Sequence, residues 1–380
     1  MDFQLTEEQK MFQAMVRDFA TNVVKPEAAK IDEEGKFPAA IFKKAADLGL
    51  FGVTIDEKYG GSGGDYLSMT LCSEELARAS GGMATIYLAD LSLACYPIYK
   101  FGTEEQKKKY VAPIARGEKI CCFALTEPGA GSDAGAMQAT AVRQGDNWVL
   151  NGNKIFITNG AEASIAVVFA MEDKTKGNKG VSAFIVESDT PGYSVGKLEH
   201  KMGIHGSSTA ELVFENCKIP AVNQLGESFR GLRYAMESID SSRVTVAAQA
   251  LGISQAAFDD ALSYAQTRVQ FGKTLAQQQA IQWMLADMAT QIDAARMMVY
   301  RAAWLKDKGL PYMKEAAMAK LYAGEVSSFV TNKALQIHGG YGYCRDYPME
   351  RYLRDAKITE IYEGTSEMQR MTIARALTTQ

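Results

Sequence analysis

Asn147-Trp148-Val149-Leu150-Asn151-Gly152-Asn153-Lys154-Ile155-Phe156-Ile157 is the stretch that decides the fold class. Two β-rich runs flank an Asn-Gly pair, whose central positions accept positive φ, so the stretch reads as a β-hairpin with a type I′ turn at Asn151-Gly152. Further β-rich runs follow at 166–170, 183–186 and 211–214, each bounded by Gly, Pro, Asn or Asp. No helical pattern alternates with them, which argues against a doubly wound α/β sheet. The expectation is a central antiparallel β domain over residues 119–228.

Both flanks read as helix. Residues 1–118 form an expected N-terminal helical domain, opened by a capping box at Thr6-Glu7-Glu8-Gln9. Further helices are predicted over 39–48, 66–79 and 87–101, separated by the glycine run at 60–64 and by Gly81-Gly82. Beyond the β zone, Ile281, Leu285, Met288, Ile292, Ala295 and Val299 fall on one face of a long helix. A second helical pattern runs from Tyr312 to Ile337, after a break at Gly309-Leu310-Pro311. Residues 229–380 therefore read as a C-terminal four-helix bundle, and the whole chain as α+β. The chain's 380 residues suit two or three such domains.

Composition removes several classes of function. Lys+Arg 41 against Asp+Glu 45 leaves a net charge of −4, without the basic excess of a nucleic-acid binder. No apolar run approaches the ~20 residues of a membrane span. The polar, acidic opening MDFQLTEEQK reads as neither a signal nor a transit peptide, so a cytoplasmic location is expected. Six cysteines without a C-x-x-C pair, and three scattered histidines, predict neither a disulfide framework nor a metal site.

Gly60-Gly61-Ser62-Gly63-Gly64 matches the G-x-S-x-G of serine hydrolases. That motif needs a buried strand before it, and here polar Asp56-Glu57-Lys58-Tyr59 precedes. It reads as a turn, with a thioester hydrolase using Ser62 kept as a competing class. Gly272-Lys273-Thr274 resembles the tail of a P-loop, but Thr267 stands where that motif needs glycine. Thr126-Glu127-Pro128-Gly129-Ala130-Gly131-Ser132-Asp133 combines small residues, hydroxyls and acids. Such a loop exposes backbone N–H groups to a flat or phosphorylated ligand, although a plain connection between domains would explain the same residues. Ile361-Tyr362-Glu363-Gly364-Thr365-Ser366, taken alone, reads as a solvated acid on a terminal loop.

Together with Arg268–Lys273, Gln336–Gly342 and Arg354–Lys357, the last two segments resemble the acyl-CoA dehydrogenase family over essentially the whole chain. The strongest likeness is to the short-chain, butyryl-CoA branch. The resemblance implies helical, β and four-helix domains in that order, a homotetramer built as a dimer of dimers, and non-covalent FAD. It places Phe123, Leu125, Thr126, Gly131, Ser132, Phe156 and Thr158 along the flavin and pantetheine side. Arg268, Phe271, Gln279, Gln336 and Gly340 would meet the ADP half of FAD from the neighbouring subunit, and Thr365 and Glu367 would lie near the adenosine and pyrophosphate. Asp240 and Arg243 would contact CoA, with Ser132, Tyr362 and Gly364 also at the substrate.

The implied reaction oxidises an acyl-CoA between C2 and C3. Glu363 resembles the base that takes the C2 proton, opposite the flavin N5 that takes the C3 hydride. The backbone N–H of the base residue and a ribityl hydroxyl of FAD would polarise the thioester carbonyl. In the isovaleryl- and long-chain branches the base stands just before an arginine equivalent to Arg243, where this chain has Ser242. Family oxidases are longer, which implies an electron-transferring flavoprotein as acceptor. Phe156 replaces a tryptophan common beside the flavin. Asp90 falls on the helix implied to floor the acyl pocket, where it is either a capping or salt-bridged acid, or a second carboxylate. The latter would suit an alicyclic thioester such as cyclohexane- or cyclohexene-carboxyl-CoA. A non-catalytic flavin- or CoA-binding relative is the remaining alternative.

Overall fold

Thr6 caps the first helix as its sequence predicts. Its hydroxyl accepts from Gln9 N at 3.2 Å, and the Gln9 side chain accepts from Thr6 N at 3.0 Å. In the computed structural model, which describes residues 4–378, helices α1 (Glu7–Phe19), α2 (Ala28–Glu34), α3 (Ala39–Asp47), α4 (Tyr66–Ala79), α5 (Gly81–Leu88), α6 (Tyr96–Phe101), α7 (Glu104–Gln106) and α8 (Ala112–Ala115) build the first layer. α5 and α6 are joined without a break by a π-helical segment, Ala89–Cys95.

The break expected at Gly81-Gly82 falls one residue earlier, at extended Ser80, between α4 and α5. Ser80 caps α5 by accepting from Met83 N at 3.2 Å, so both glycines lie in the first turn. Close packing explains them: a Cβ on Gly82 would stand 2.1 Å from the His205 carbonyl oxygen. The glycine run at 60–64 is likewise a packed turn, in which the Ser62 hydroxyl donates to Val53 O at 3.2 Å. No strand leads into it, as a nucleophile elbow would need.

The β zone comprises β1 (Cys121–Ala124), β2 (Thr140–Gln144), β3 (Asn147–Thr158), β4 (Ile165–Met171), β5 (Val181–Glu187), β6 (Tyr193–Leu198), β7 (Thr209–Pro220) and β8 (Gln224–Leu225). The main order is β6-β7-β3-β2-β4-β5-β8, with β1 beside β4. Asn151-Gly152 is not a hairpin turn. β3 runs straight through it, and the turn lies at Gly145-Asp146, between paired Gln144 and Asn147. Gly152 serves a bulge against β7, at φ 137°, where a Cβ would lie 2.7 Å from Ala139 Cα. The sheet is antiparallel in most pairs, but β1·β4 and the single β2·β4 bridge are parallel. A parallel partner requires a long crossover, here the whole β2–β3 hairpin, which local patterning does not reveal.

The last layer holds α9 (Gly231–Thr267), a two-stranded ribbon of β9 (Val269–Gln270) and β10 (Lys273–Thr274), α10 (Gln279–Asp307), α11 (Met313–His338), α12 (Met349–Ile358) and α13 (Ser366–Thr378). The predicted stripe on α10 is inward: Met288, Ile292, Ala295 and Val299 are all buried. α4 packs against α9 and α10, so the first and last layers share one core, while the sheet keeps a second apolar cluster around Trp148, Phe184 and Phe214.

Candidate active site

Four elements converge on Glu363. α9 brings Ser242, Arg243 and Gln249, α11 brings Lys320, α13 brings Gln369, and the acid stands on the loop between α12 and α13. Glu363 adopts φ 55° and Gly364 φ 91°, and this left-handed pair turns both carbonyls inward. Gly364 O accepts from Lys320 Nζ and Gln369 Nε2, both at 2.7 Å. Glu363 O accepts from Gln369 Nε2 at 3.2 Å and faces Arg243 Nε at 3.5 Å. Among the described residues none accepts from the Glu363 N–H. A non-glycine residue held at positive φ costs conformational energy, which the three surrounding donors offset.

The Glu363 carboxylate accepts from the Ser242 hydroxyl. Burial lifts its pKa to about 8, against the opposing pull of Lys320 and Arg243. A carboxylate poised there is a competent proton acceptor near neutrality. Arg243 is itself paired with Asp240 at 2.5 Å, one helical turn back on α9. Its guanidinium therefore serves the Glu363 loop and Asp240 together. Tyr362 packs on Leu88, Ala89 and Val246, and its hydroxyl donates to Gln249 Oε1. Gln249 Nε2 in turn donates to Gly81 O at 2.9 Å and to Thr85 Oγ1 at 2.7 Å, tying the acid loop to α5.

Asp90 lies on the π-helical segment with 0% exposure. Its Oδ1 accepts from Cys121 N at 2.7 Å, at the first residue of β1, while Oδ2 has no partner among the described residues. Burial pushes its pKa up to about 8, with only the Cys121 N–H opposing. The carboxyl group thus fastens β1 to the helix that also carries Leu88 and Ala89.

β1 continues into Leu125, Thr126 and the glycine loop. Ile155 N donates to Thr126 O at 2.9 Å, setting the loop beside Phe156, which is 59% exposed at φ 58°. Phe123 packs against Phe169 with the rings tilted by 54°, and Thr158 is half-buried at the end of β3. Gly131 and Ser132 are exposed, their N–H groups donate to no described residue, and a Cβ on Gly131 would meet nothing within 4 Å. The base of this loop is closed by a buried ion pair that sequence reading missed. Lys154 Nζ donates to Glu127 Oε1 at 2.8 Å and Leu125 O at 2.9 Å, and Glu127 also accepts from Gln138 N and Ala139 N. Burial alone would raise Glu127, but Lys154 and the two N–H groups hold its pKa below the usual value. A lysine at a fully buried position of β3 was the available signal.

Models of the acyl-CoA dehydrogenase N-terminal, middle and C-terminal domains match residues 6–118, 122–217 and 230–378. The chain belongs to the acyl-CoA dehydrogenase family. It is 52% identical over 374 residues to the short-chain specific acyl-CoA dehydrogenase of Clostridium acetobutylicum, covering 98% of this chain and 99% of that one. The solved butyryl-CoA dehydrogenase of Megasphaera elsdenii superposes with a TM-score of 0.98 at 49% identity, covering 99% and 100% of the two chains. A chain solved in work on the electron transferring flavoprotein of Acidaminococcus fermentans and flavin-based electron bifurcation superposes with a TM-score of 0.99 at 50% identity over 100% of both chains.

Acyl-CoA dehydrogenases are FAD-dependent, and the residues here fit that cofactor. The exposed Phe156 ring, the open Gly131-Ser132 amides and half-buried Thr126 and Thr158 offer a flat aromatic contact and hydrogen-bonding groups on one edge of the sheet. The other expected FAD residues gather elsewhere. Arg268 and Gly340 line a cleft of about 590 Å³ with Tyr264, His338 and Tyr341 at the far end of the bundle. Phe271 caps the β9–β10 ribbon at 97% exposure, and Gln279 and Gln336 are exposed at the adjoining ends of α10 and α11. Arg268 follows Arg243 by 25 residues along α9, about 37 Å at 1.5 Å per residue. Within one chain this cluster stands well away from Glu363. Thr365 and Glu367 sit beside Glu363 instead: Thr365 Oγ1 accepts from Met368 N at 3.4 Å at the start of α13, and Glu367 is exposed.

Proposed function

We propose that this acyl-CoA dehydrogenase converts a linear short-chain acyl-CoA to its 2,3-enoyl-CoA, with Glu363 as the base that removes the C2 proton. The observation that carries this reading is the Glu363 backbone. Its carbonyls turn inward and its N–H meets no acceptor among the described residues, beside a carboxylate with a pKa lifted to about 8 by burial. That N–H is available to the thioester oxygen as negative charge develops there, and the side chain is available to the proton. When bound, FAD supplies the acceptor for the C3 hydride. Tyr362, held by Gln249, fixes the loop that presents the acid. Ser242 stabilises the ionised carboxylate before each turnover.

The same proposal includes an electron-transferring flavoprotein as acceptor, in line with the Acidaminococcus similarity. It also includes a homotetramer in which the Arg268 end of one chain reaches the FAD of a neighbour. The roughly 37 Å between Arg243 and Arg268 supports that division of labour. A cytoplasmic location completes it, supported by six free cysteines; no helix among the described residues is long and apolar enough to cross a membrane.

A second reading gives Asp90 an acid–base role on an alicyclic acyl-CoA, and rests on the unpartnered Oδ2. Turnover of purified protein on butyryl-CoA and cyclohexanecarboxyl-CoA separates the two. Preference for the linear thioester supports the first reading, and exclusive use of the ring thioester supports the second. A yellow protein that neither substrate bleaches anaerobically would point to a non-catalytic relative. A colourless protein that fluorophosphonate labels at Ser62 would point to a hydrolase.

A further inference from the structure

Lys320 is a buried amine that forms no ion pair within 4 Å among the described residues. It lies on α11 at 1% exposure, among Ala316, Ala317, Ala319 and Ala323, each fully buried. Desolvating an ammonium group there is costly, and a neutral side chain would avoid that cost. Its hydrogen bond of 2.7 Å to Gly364 O fixes the peptide that follows Glu363. The charged groups around Glu363 are few. From α9 comes Arg243, already neutralised by Asp240 at 2.5 Å, and from α11 comes Lys320. Tyr66 from α4 and Tyr362 from the loop carry hydroxyls that burial keeps protonated. Glu360 and Glu367 act on Lys320 from either side of the loop, more weakly than Glu363 does. Burial lowers the Lys320 pKa to about 8 while Glu363 pulls it back up, so up to that pH its ammonium is the charge from α11 that faces the candidate base.

We propose that Lys320 is a positioning residue for the dehydrogenation. It holds the Gly364 carbonyl so that Glu363 keeps its left-handed backbone, and it supplies the positive field under which the Glu363 carboxylate ionises. This inference rests on Glu363 being the base. Electrostatically, a cation in low dielectric favours the charged form of an acid beside it. Removing it therefore shifts Glu363 ionisation to higher pH.

The test uses FAD-loaded Lys320→Arg, Lys320→Gln and Lys320→Met proteins, with kcat and KM for butyryl-CoA measured from pH 6 to pH 10. Lys320→Gln keeps a donor for Gly364 O but loses the charge. Its rising kcat limb is expected to move at least one pH unit upward, with KM within about threefold of wild type. Lys320→Arg is expected to restore the wild-type limb, and Lys320→Met to add a loss of kcat at high pH. A limb that stays in place in Lys320→Gln, while melting temperature or flavin content falls, would overturn the proposal and leave a purely structural lysine. Melting at pH 9 gives a readout independent of turnover. Glu363→Gln is expected to stabilise the Lys320→Gln background more than the wild type, and equal effects would overturn the coupling. Glu363→Gln assayed in parallel separates the two ideas: wild-type turnover there defeats the base assignment itself.

Discussion

The Ser242 hydroxyl donates to the Glu363 carboxylate, across 121 positions of sequence. A donor to the ionised form lowers an acid's pKa. Ser242→Ala is therefore expected to move the rising limb of kcat to higher pH and to lower turnover at neutral pH by about tenfold, a single pKa unit's worth. FAD content and KM should hold. A full pH profile of the variant checks this.

Glu363→Gln keeps the size of the side chain and removes its basicity. Loss of a general base costs about 10²–10⁴-fold in rate, so kcat is expected to fall by at least that amount. The visible flavin spectrum and the melting temperature should survive. Stopped-flow bleaching by butyryl-CoA under anaerobic conditions is the direct measurement.

Stability should carry the same titration with the opposite sense from an ordinary salt-bridged acid. Glu363 is raised to about 8 in the fold, above its unfolded value, so the native state holds its proton more tightly. Its contribution is most favourable below the unfolded pKa and is lost as pH rises toward 8. Glu363→Gln is free of that loss. Its melting temperature relative to wild type is expected to climb between pH 5 and pH 8.5, and calorimetry at those two values tests it.

Asp90 invites the same comparison with a different control. Its pKa of about 8 comes from burial, and one oxygen holds the Cys121 N–H. Asp90→Leu removes that acceptor and is expected to cost about 1–3 kcal/mol of stability. Asp90→Asn keeps an acceptor for Cys121 and should flatten the decline of melting temperature between pH 4 and pH 8. If Asp90 only fastens β1, Asp90→Asn turns over butyryl-CoA within about threefold of wild type. An acid–base role instead predicts loss of activity on cyclohexanecarboxyl-CoA.

The Lys154–Glu127 pair should be felt at the cofactor. Lys154→Met strands Glu127 as a buried, unpaired charge, which typically costs about 3–5 kcal/mol. The variant is expected to melt lower and to lose FAD more readily on dilution. A Lys154→Met/Glu127→Gln double variant should recover part of the stability, because no charge is left buried alone. Differential scanning calorimetry and flavin fluorescence report the two effects separately.

Much of this was open to reading along the chain. Helical and β zones follow from periods of 3.6 and 2, which are local properties, and the Thr6 capping box and the α10 stripe need only residues three or four apart. The likeness of the Thr126–Asp133 and Ile361–Ser366 segments to a known family named Glu363 before any geometry. What local pattern misread was decided by neighbours. Asn151-Gly152 looks like a turn, but β7 and Ala139 make it a bulge, and the break read at Gly81-Gly82 falls at Ser80 because His205 and Asp355 need both glycines inside α5. Ser242, Lys320, Gln249 and Gln369 surround one acid from three helices, and Lys154 meets Glu127 across a sheet. The sequence by itself determined where helical and strand periods prevail and, through the family likeness, which residue is the candidate base. Tertiary structure alone decided how that base is charged, since its pKa depends on burial and on cations tens to more than a hundred residues away, and desolvation and Coulomb forces act through space rather than along the chain.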